Sequence, residues 1–287
     1  MIDQLIEAIE LKQNSVALCL DTTPEMMPEA FQAAFDTTQL MGAASAVMAY
    51  NKAMLKALQD VIPCVKISPA YYEKLGMPGA MALAETLRNA KEAGYITILD
   101  GRKSGSEEEC LAYAQTYLGQ VTLKSRSSSV FPADFLSVCG AYGAGFRAAW
   151  HAARENGKGL LVPLMTEGLF GSVLSDGTKV YEAMADTIAA VGEDALGIHG
   201  FSSLGVIVDS SDAAAMGELC KRMPHTFFMV NEFEDASLLE QLTDECGRGA
   251  LIASRKLIQA WKRWNTDDFA TAAREEAYCL REKFSRA

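Results

Sequence analysis

The sequence predicts an α/β fold of parallel strands covered by helices, in one domain over residues 1–287, with a unit count that fits a closed (β/α)8 TIM barrel. Three observations carry the prediction. Short apolar segments alternate with helix-patterned segments almost to the end of the chain. The apolar segments number eight. Several of them end in ionisable residues, at the strand ends where a barrel keeps its chemistry. A doubly wound open sheet explains the alternation equally well, because periodicity alone does not distinguish a closed sheet from an open one.

The chain begins Met1-Ile2-Asp3-Gln4-Leu5-Ile6-Glu7, an acidic amphipathic start that predicts a helix and argues against a signal peptide. The expected strands are 16–21, 64–68, 96–100, 135–138, 160–164, 206–209, 227–230 and 251–254, each a run rich in Val, Ile, Leu or Phe. Helical patterns fall at 44–61, 79–93, 107–117, 180–191, 213–222 and 236–245, and a long helix over 267–284 closes the chain. In the second of these, Ala82, Leu83, Leu87 and Ala90 recur three and four apart, as one face of a helix requires. Residues 120–129, with Lys124, Arg126 and four serines, predict a mobile loop before the fourth strand. No Gly/Ser/Pro linker divides the chain.

Composition narrows the function classes. Apolar residues make up 49% of the chain, yet no unbroken run approaches the ~20 residues of a membrane span. The formal net charge of −11 argues against nucleic acid as a partner, since phosphate binding rests on an excess of Lys and Arg. Seven scattered cysteines, none in a Cys-x-x-Cys pair, predict reduced thiols that mostly fill the core, rather than a disulfide scaffold or a metal site. A cytoplasmic location follows from the same pattern.

The strand-end positions form one set: Asp21, Lys66, Asp100 with Arg102, Cys139, Thr166, Asp209, Asn231 and Ser254-Arg255. Together they predict a pocket for a small anionic ligand. Taken singly, Asp21 and Asp209 read as helix caps or turn formers. Lys66 does not yield to such a reading. It lies between Val65 and Ile67 in an apolar strand and must face a cavity or find a counter-ion, because burying an unpaired charge is costly.

The stretch Ile98-Leu99-Asp100-Gly101-Arg102-Lys103-Ser104-Gly105-Ser106 resembles the Asp-x-Lys-x-x-Asp signature of the orotidine 5′-phosphate decarboxylase superfamily, with Arg102 in place of the lysine and Gly105 in place of the second aspartate. Four further elements are similar to the bacterial type 2 enzymes, in order and in register. They are Cys19-Leu20-Asp21-Thr22-Thr23-Pro24-Glu25-Met26-Met27-Pro28, Tyr50-Asn51-Lys52-Ala53, Val65-Lys66-Ile67-Ser68-Pro69-Ala70-Tyr71-Tyr72-Glu73 and Ala250-Leu251-Ile252-Ala253-Ser254-Arg255. The resemblance implies a (β/α)8 barrel, a homodimer, no cofactor and no metal, and conversion of orotidine 5′-phosphate to UMP. Carried over by motif, it implies catalytic roles for Lys66, Asp100 and Arg102, and ligand binding by Asp21, Thr166 and Arg255.

The departures are as informative. Loss of CO2 leaves a carbanion, which needs a fixed cation and a proton donor. Arg102 keeps the charge but donates protons poorly, since guanidinium holds its proton to a pKa above ~12. Gly105 supplies no carboxylate, and nothing nearby in sequence returns one at that spacing. The family's threonine aligns with Glu109. Lys103, by a one-residue slip, and Glu107 or Glu108 are the conceivable substitutes; such helix-start acids read more simply as solvated partners of a helix dipole. The glycine-rich phosphate loop of the family is replaced by Val230-Asn231-Glu232-Phe233-Glu234-Asp235-Ala236, three acids that repel a phosphate and leave Arg255 as a salt-bridge partner. Met165-Thr166-Glu167-Gly168 and Cys139-Gly140-Ala141 replace two further ligand-contacting segments, and Cys139 reads as a small buried thiol. The expectation is a decarboxylase-family barrel with weak or lost activity and an altered ligand. The alternative is a functional, divergent decarboxylase or a lyase on another small anion.

Overall fold

The computed structural model describes residues 1–140, 143–165, 172–209, 213–231 and 249–284. Eight parallel strands close into a barrel: β1 (Val16–Cys19), β2 (Cys64–Ile67), β3 (Ile96–Lys103), β4 (Phe135–Val138), β5 (Gly159–Met165), β6 (Leu204–Val208), β7 (Phe228–Asn231) and β8 (Ala250–Ser254). Each strand pairs with its sequence neighbours, and β1 closes the ring by pairing Val16 with Ile252 of β8. The open-sheet alternative is thereby excluded.

Alternation along each strand separates two apolar cores. In β1, Val16 and Leu18 face outward to the helices, while Ala17 and Cys19 face the barrel interior. The interior layer adds Cys64, Ile98, Phe135, Leu161, Ile207, Met229 and Leu251. Its lower end is plugged by helix α1 (Ile2–Lys12), whose Ile2, Leu5, Ile6 and Ile9 join that layer. The acidic amphipathic start is thus a lid on the amino-terminal face.

The outer ring comprises α2 (Leu40–Leu58), α3 (Gly76–Glu92), α4 (Glu107–Leu118), α5 (Gly143–Glu155), α6 (Val180–Gly192) and α7 (Ala213–Arg222), with α8 (Phe269–Phe284) closing the chain. Helix α4 starts at a capping box: the Glu109 amide donates to Ser106 Oγ (3.3 Å) and the Ser106 amide donates to the Glu109 carboxylate (2.8 Å). Helix α5 has a readable stripe, Phe146, Ala149, Trp150, Ala152 and Ala153, behind glycines that hide its start from propensity.

Three expectations are corrected or fall away. Residues 120–129 are not a plain loop; Val121–Leu123 pairs antiparallel with Arg126–Ser128 in an exposed hairpin, which Lys124 permits by taking φ 43° at the turn. Cys220 is disulfide-bonded, so the expectation of thiols alone fails there, whereas Cys19, Cys64 and Cys110 are free and buried. The helix expected at 236–245 lies outside the described residues. Among the described residues no helix is long and apolar enough to cross a membrane.

At the lower end of the barrel Asp134, fully buried before β4, is held by Lys91 (2.6 Å), Lys158 (2.8 Å) and the Thr97 amide (3.0 Å). Burial alone would raise its carboxyl pKa, but the bonds from Lys158 and Lys91 outweigh it and hold the group below the usual carboxylate range. A depressed folded-state value contributes stability above the unfolded carboxylate range and loses it as pH falls through that depressed value. Asp134→Asn should therefore lower stability by about 2–3 kcal/mol at pH 7, the two lysines being partly open to solvent. Urea unfolding at pH 7 and at pH 3 checks this: the gap between variant and parent must shrink at the lower pH.

Candidate active site

The carboxyl ends of the strands surround a cavity of about 690 Å³, lined among others by Lys66, Ser68, Asp100, Arg102, Asp209 and Arg255. Lys66 forms its floor. An apolar strand projects this side chain into the barrel, where its ammonium meets Asp21 (3.4 Å), Asp100 (3.2 Å) and Ser68 Oγ (3.1 Å). Burial opposes its charge, but Cys19, Asp21 and Asp100 together outweigh burial and hold it above the ordinary lysine value. At neutral pH Lys66 is an ammonium: able to give a proton, unable to take one.

Asp21 is not the cap or turn former that its position alone suggests. It is fully buried, accepts from the Ser68 amide (2.8 Å), and pairs with both Lys66 and Arg255 (2.9 Å). The segment that carries it is anchored from behind: Thr22 Oγ1 donates to Asn51 Oδ1 (2.6 Å), Asn51 Nδ2 donates to the Tyr72 hydroxyl (2.8 Å), and that hydroxyl donates to Leu20 O (2.8 Å). The resembling segments around Asp21, Asn51 and Tyr72 are therefore one buried hydrogen-bond unit.

Beyond Asp100 the strand departs from regular pairing. The register of β3 against β4 shifts between Leu99 and Lys103, and Arg102 adopts φ 45°, a conformation that costs a non-glycine residue of order 1 kcal/mol. Ser137 holds this turn, accepting from the Arg102 amide (2.8 Å) and donating to Asp100 Oδ1 (2.8 Å). The guanidinium of Arg102 then meets Asp100 through Nε (3.4 Å) and crosses the barrel mouth to Asp209, after β6, through Nη1 (2.9 Å) and Nη2 (3.3 Å). Asn231 also donates to Asp209. Burial lowers the affinity of Arg102 for its proton, but Asp209 and Asp100 outweigh this and raise it.

Charges thus alternate across the cavity: Arg255, Asp21, Lys66, Asp100, Arg102, Asp209. Asp209 corrects two expectations. It is no mere cap, and it places a carboxylate beside Arg102 although nothing near Gly105 in sequence does. Only closure of the barrel brings positions 102 and 209 together. Gly105 cannot readily regain a side chain either: a Cβ there would meet the Glu109 carboxylate at 2.5 Å, within the capping box of α4.

The conceivable substitutes point elsewhere. Lys103 turns outward to Glu73 (3.4 Å) and lies over the Tyr113 ring (5.2 Å), while Glu107 is exposed at the start of α4. Arg255 pairs with Asp21 and lies over the Tyr71 ring at 5.5 Å; the three acids expected as its partners, Glu232, Glu234 and Asp235, lie outside the described residues. Cys139 is exposed rather than buried, because it follows the last residue of β4 on the rim, where its thiol donates to Arg102 O (3.2 Å). Partial burial pushes its pKa up, against the lowering influence of Arg102, so it is a poor nucleophile. Thr166, Glu167 and Gly168, Ala141, and Glu232 to Ala236 lie outside the described residues.

No model of a known protein family matches the chain. Individual proteins do. Orotidine 5′-phosphate decarboxylase of Clostridium tetani is 27% identical over 302 aligned residues, covering 100% of this chain and 98% of that protein. The enzyme of the same name from Rhodopirellula baltica is 27% identical over 282, covering 95% and 91%. Among solved structures, Leishmania donovani OMP decarboxylase superposes with a TM-score of 0.70 at 21% identity, covering 98% of each chain, a likeness of fold. Over its full length the chain is thus similar to orotidine 5′-phosphate decarboxylases, and it shares a closed barrel with solved structures of that name.

Proposed function

We propose that this protein is a decarboxylase-family barrel with weak or lost activity toward orotidine 5′-phosphate and an altered small anionic or nucleotide-like ligand. Lys66, Asp100 and Arg102 are its reactive set, and Asp21, Thr166 and Arg255 belong to its ligand site. The observation that carries this reading is the state of Arg102. Decarboxylation needs a cation that also delivers a proton to the new carbanion, and a guanidinium clamped between two carboxylates surrenders none near neutral pH. Lys66 is the remaining ammonium, but it is pinned at the floor between Asp21 and Asp100. Arg255, engaged with Asp21, offers a phosphate only a shared charge.

One observation favours the alternative, a functional divergent decarboxylase or a lyase on another anion. Lys66, Asp100, Arg102 and Asp209 keep the alternation of charge that stabilises an anionic transition state, with Lys66 as proton donor. On either reading the protein works in the cytoplasm as a homodimer without cofactor. Leu40 and Met41 at the start of α2, and Met77 and Met81 on α3, are exposed apolar side chains.

Formation of UMP from orotidine 5′-phosphate by the purified protein is the direct test. Turnover is expected to be at or near the uncatalysed background; rapid turnover would overturn the reading in favour of the alternative. In the same assay Arg102→Lys combined with Gly105→Asp is expected to restore no substantial rate, because Asp209 holds the cation and Glu109 crowds the new side chain. Recovery of substantial rate by those two changes would show that the rest of the site is intact.

A further inference from the structure

Strand β3 runs against β4 from Leu99 opposite Leu136 to Lys103 opposite Val138, so Asp100, Gly101 and Arg102 stand against Ser137 alone. A bulge of this kind takes main-chain groups out of the ladder, and a buried amide without an acceptor is costly. The Arg102 amide finds its acceptor in a side chain, Ser137 Oγ at 2.8 Å, and the same hydroxyl gives its own proton to Asp100 Oδ1 at 2.8 Å. Ser137 is fully buried. Alternation along β4 aims it there: Phe135 belongs to the barrel interior and Leu136 to the outer core, so Ser137 faces inward.

We infer that Ser137 is a positioning residue of this site: its hydroxyl joins the main chain of Arg102 to the carboxylate of Asp100 and so fixes the spacing of two reactive groups. It acts through those residues and performs no chemistry of its own. The inference rests on the reading that Lys66, Asp100 and Arg102 are the reactive set, and it holds for either account of the activity. Asp100 has further partners in Lys66 (3.2 Å) and Arg102 Nε (3.4 Å), and Arg102 also bonds to Asp209, which accepts from Asn231 as well. Those bonds join side chain to side chain and leave the main chain at φ 45° free to relax. Ser137 holds it from a strand that is itself paired on both edges, with β3 and β5. Among the described residues Ser137 Oγ bonds to neither Arg255 nor Lys256, the other cations lining the cavity apart from Lys66 and Arg102. Without the hydroxyl a buried amide and a buried carboxylate each lose a partner, so the bulge relaxes and the guanidinium loses its fixed base.

Phenylglyoxal, which modifies guanidinium groups that are not held in ion pairs, tests the role on the whole protein, with each arginine followed by peptide mass spectrometry. Ser137→Ala is expected to speed modification of Arg102 about fivefold or more, the loss expected for one hydrogen bond. Arg255, in the same cavity, and Arg274, paired with Asp60 outside it, are expected to keep their parent rates. Ser137→Thr, which retains the hydroxyl, is expected to return Arg102 to the parent rate; circular dichroism melts establish that each variant folds, and the alanine variant decides by itself if threonine is too large to fold. An unchanged Arg102 rate in folded Ser137→Ala protein, a rise shared by Arg255 and Arg274, or a folded threonine variant that reacts like the alanine one would each overturn the inference. The two readings fail separately. Rapid UMP formation with the expected labelling sinks the weak-activity reading alone, and unchanged labelling without turnover sinks this one alone.

Discussion

A buried ammonium organises the upper half of this barrel. Lys66 projects from β2 into an interior that is otherwise apolar, and an ion so placed costs several kcal/mol unless opposite charges meet it. Asp21 from the end of β1 and Asp100 from β3 do so on either side, with Ser68 adding a hydroxyl. Because three neighbouring strands contribute, their relative register is tied to the geometry of one cation. Each carboxylate then demands partners of its own, Arg255 for Asp21 and Arg102 for Asp100, and the charges propagate outward to the rim. Removing any inner member strands another buried charge, so the network is cooperative in the sense that its parts are not independent.

The cation at position 102 is a guanidinium, and its chemistry differs from that of the ammonium of Lys66. An ammonium is a compact charge that can release a proton where the field favours it. A guanidinium keeps its proton, spreads its charge over a plane, and recognises another plane. The structure uses the second property: one side of Arg102 meets Asp100 and the terminal edge meets Asp209 across the mouth. The pocket alternates its charges, with a guanidinium rather than an ammonium at the mouth.

The two ends of the barrel divide their tasks. At the amino-terminal end, α1 seals the interior and Asp134 locks Lys91 and Lys158 to the start of β4, which serves stability. At the carboxyl end the same kind of ion pairing lines an open cavity with partly exposed groups, and there the backbone itself departs from regularity at Arg102. Strain and exposed charge are concentrated where a ligand would sit, which is the usual arrangement in this fold.

The sequence by itself determined the eight strands, within one to three residues at each end, and most of the helices, because apolar periodicity is a local property. It singled out Lys66, since a lone cation in an apolar strand has no local explanation. Through motif resemblance it placed Asp100, Arg102, Asp21 and Arg255 in one pocket, and the structure brings those five together. Only the tertiary structure decided whether the sheet closes, since closure depends on Val16 meeting Ile252, residues with no local relation. It alone gave Asp209 its role, 107 positions from Arg102 in the chain and a hydrogen bond away in the barrel. It alone turned Lys103 outward and Arg102 inward, a choice made by the register shift in β3 and the grip of Ser137. Charges reveal which residues need partners; which partner each receives is settled by how the strands wrap.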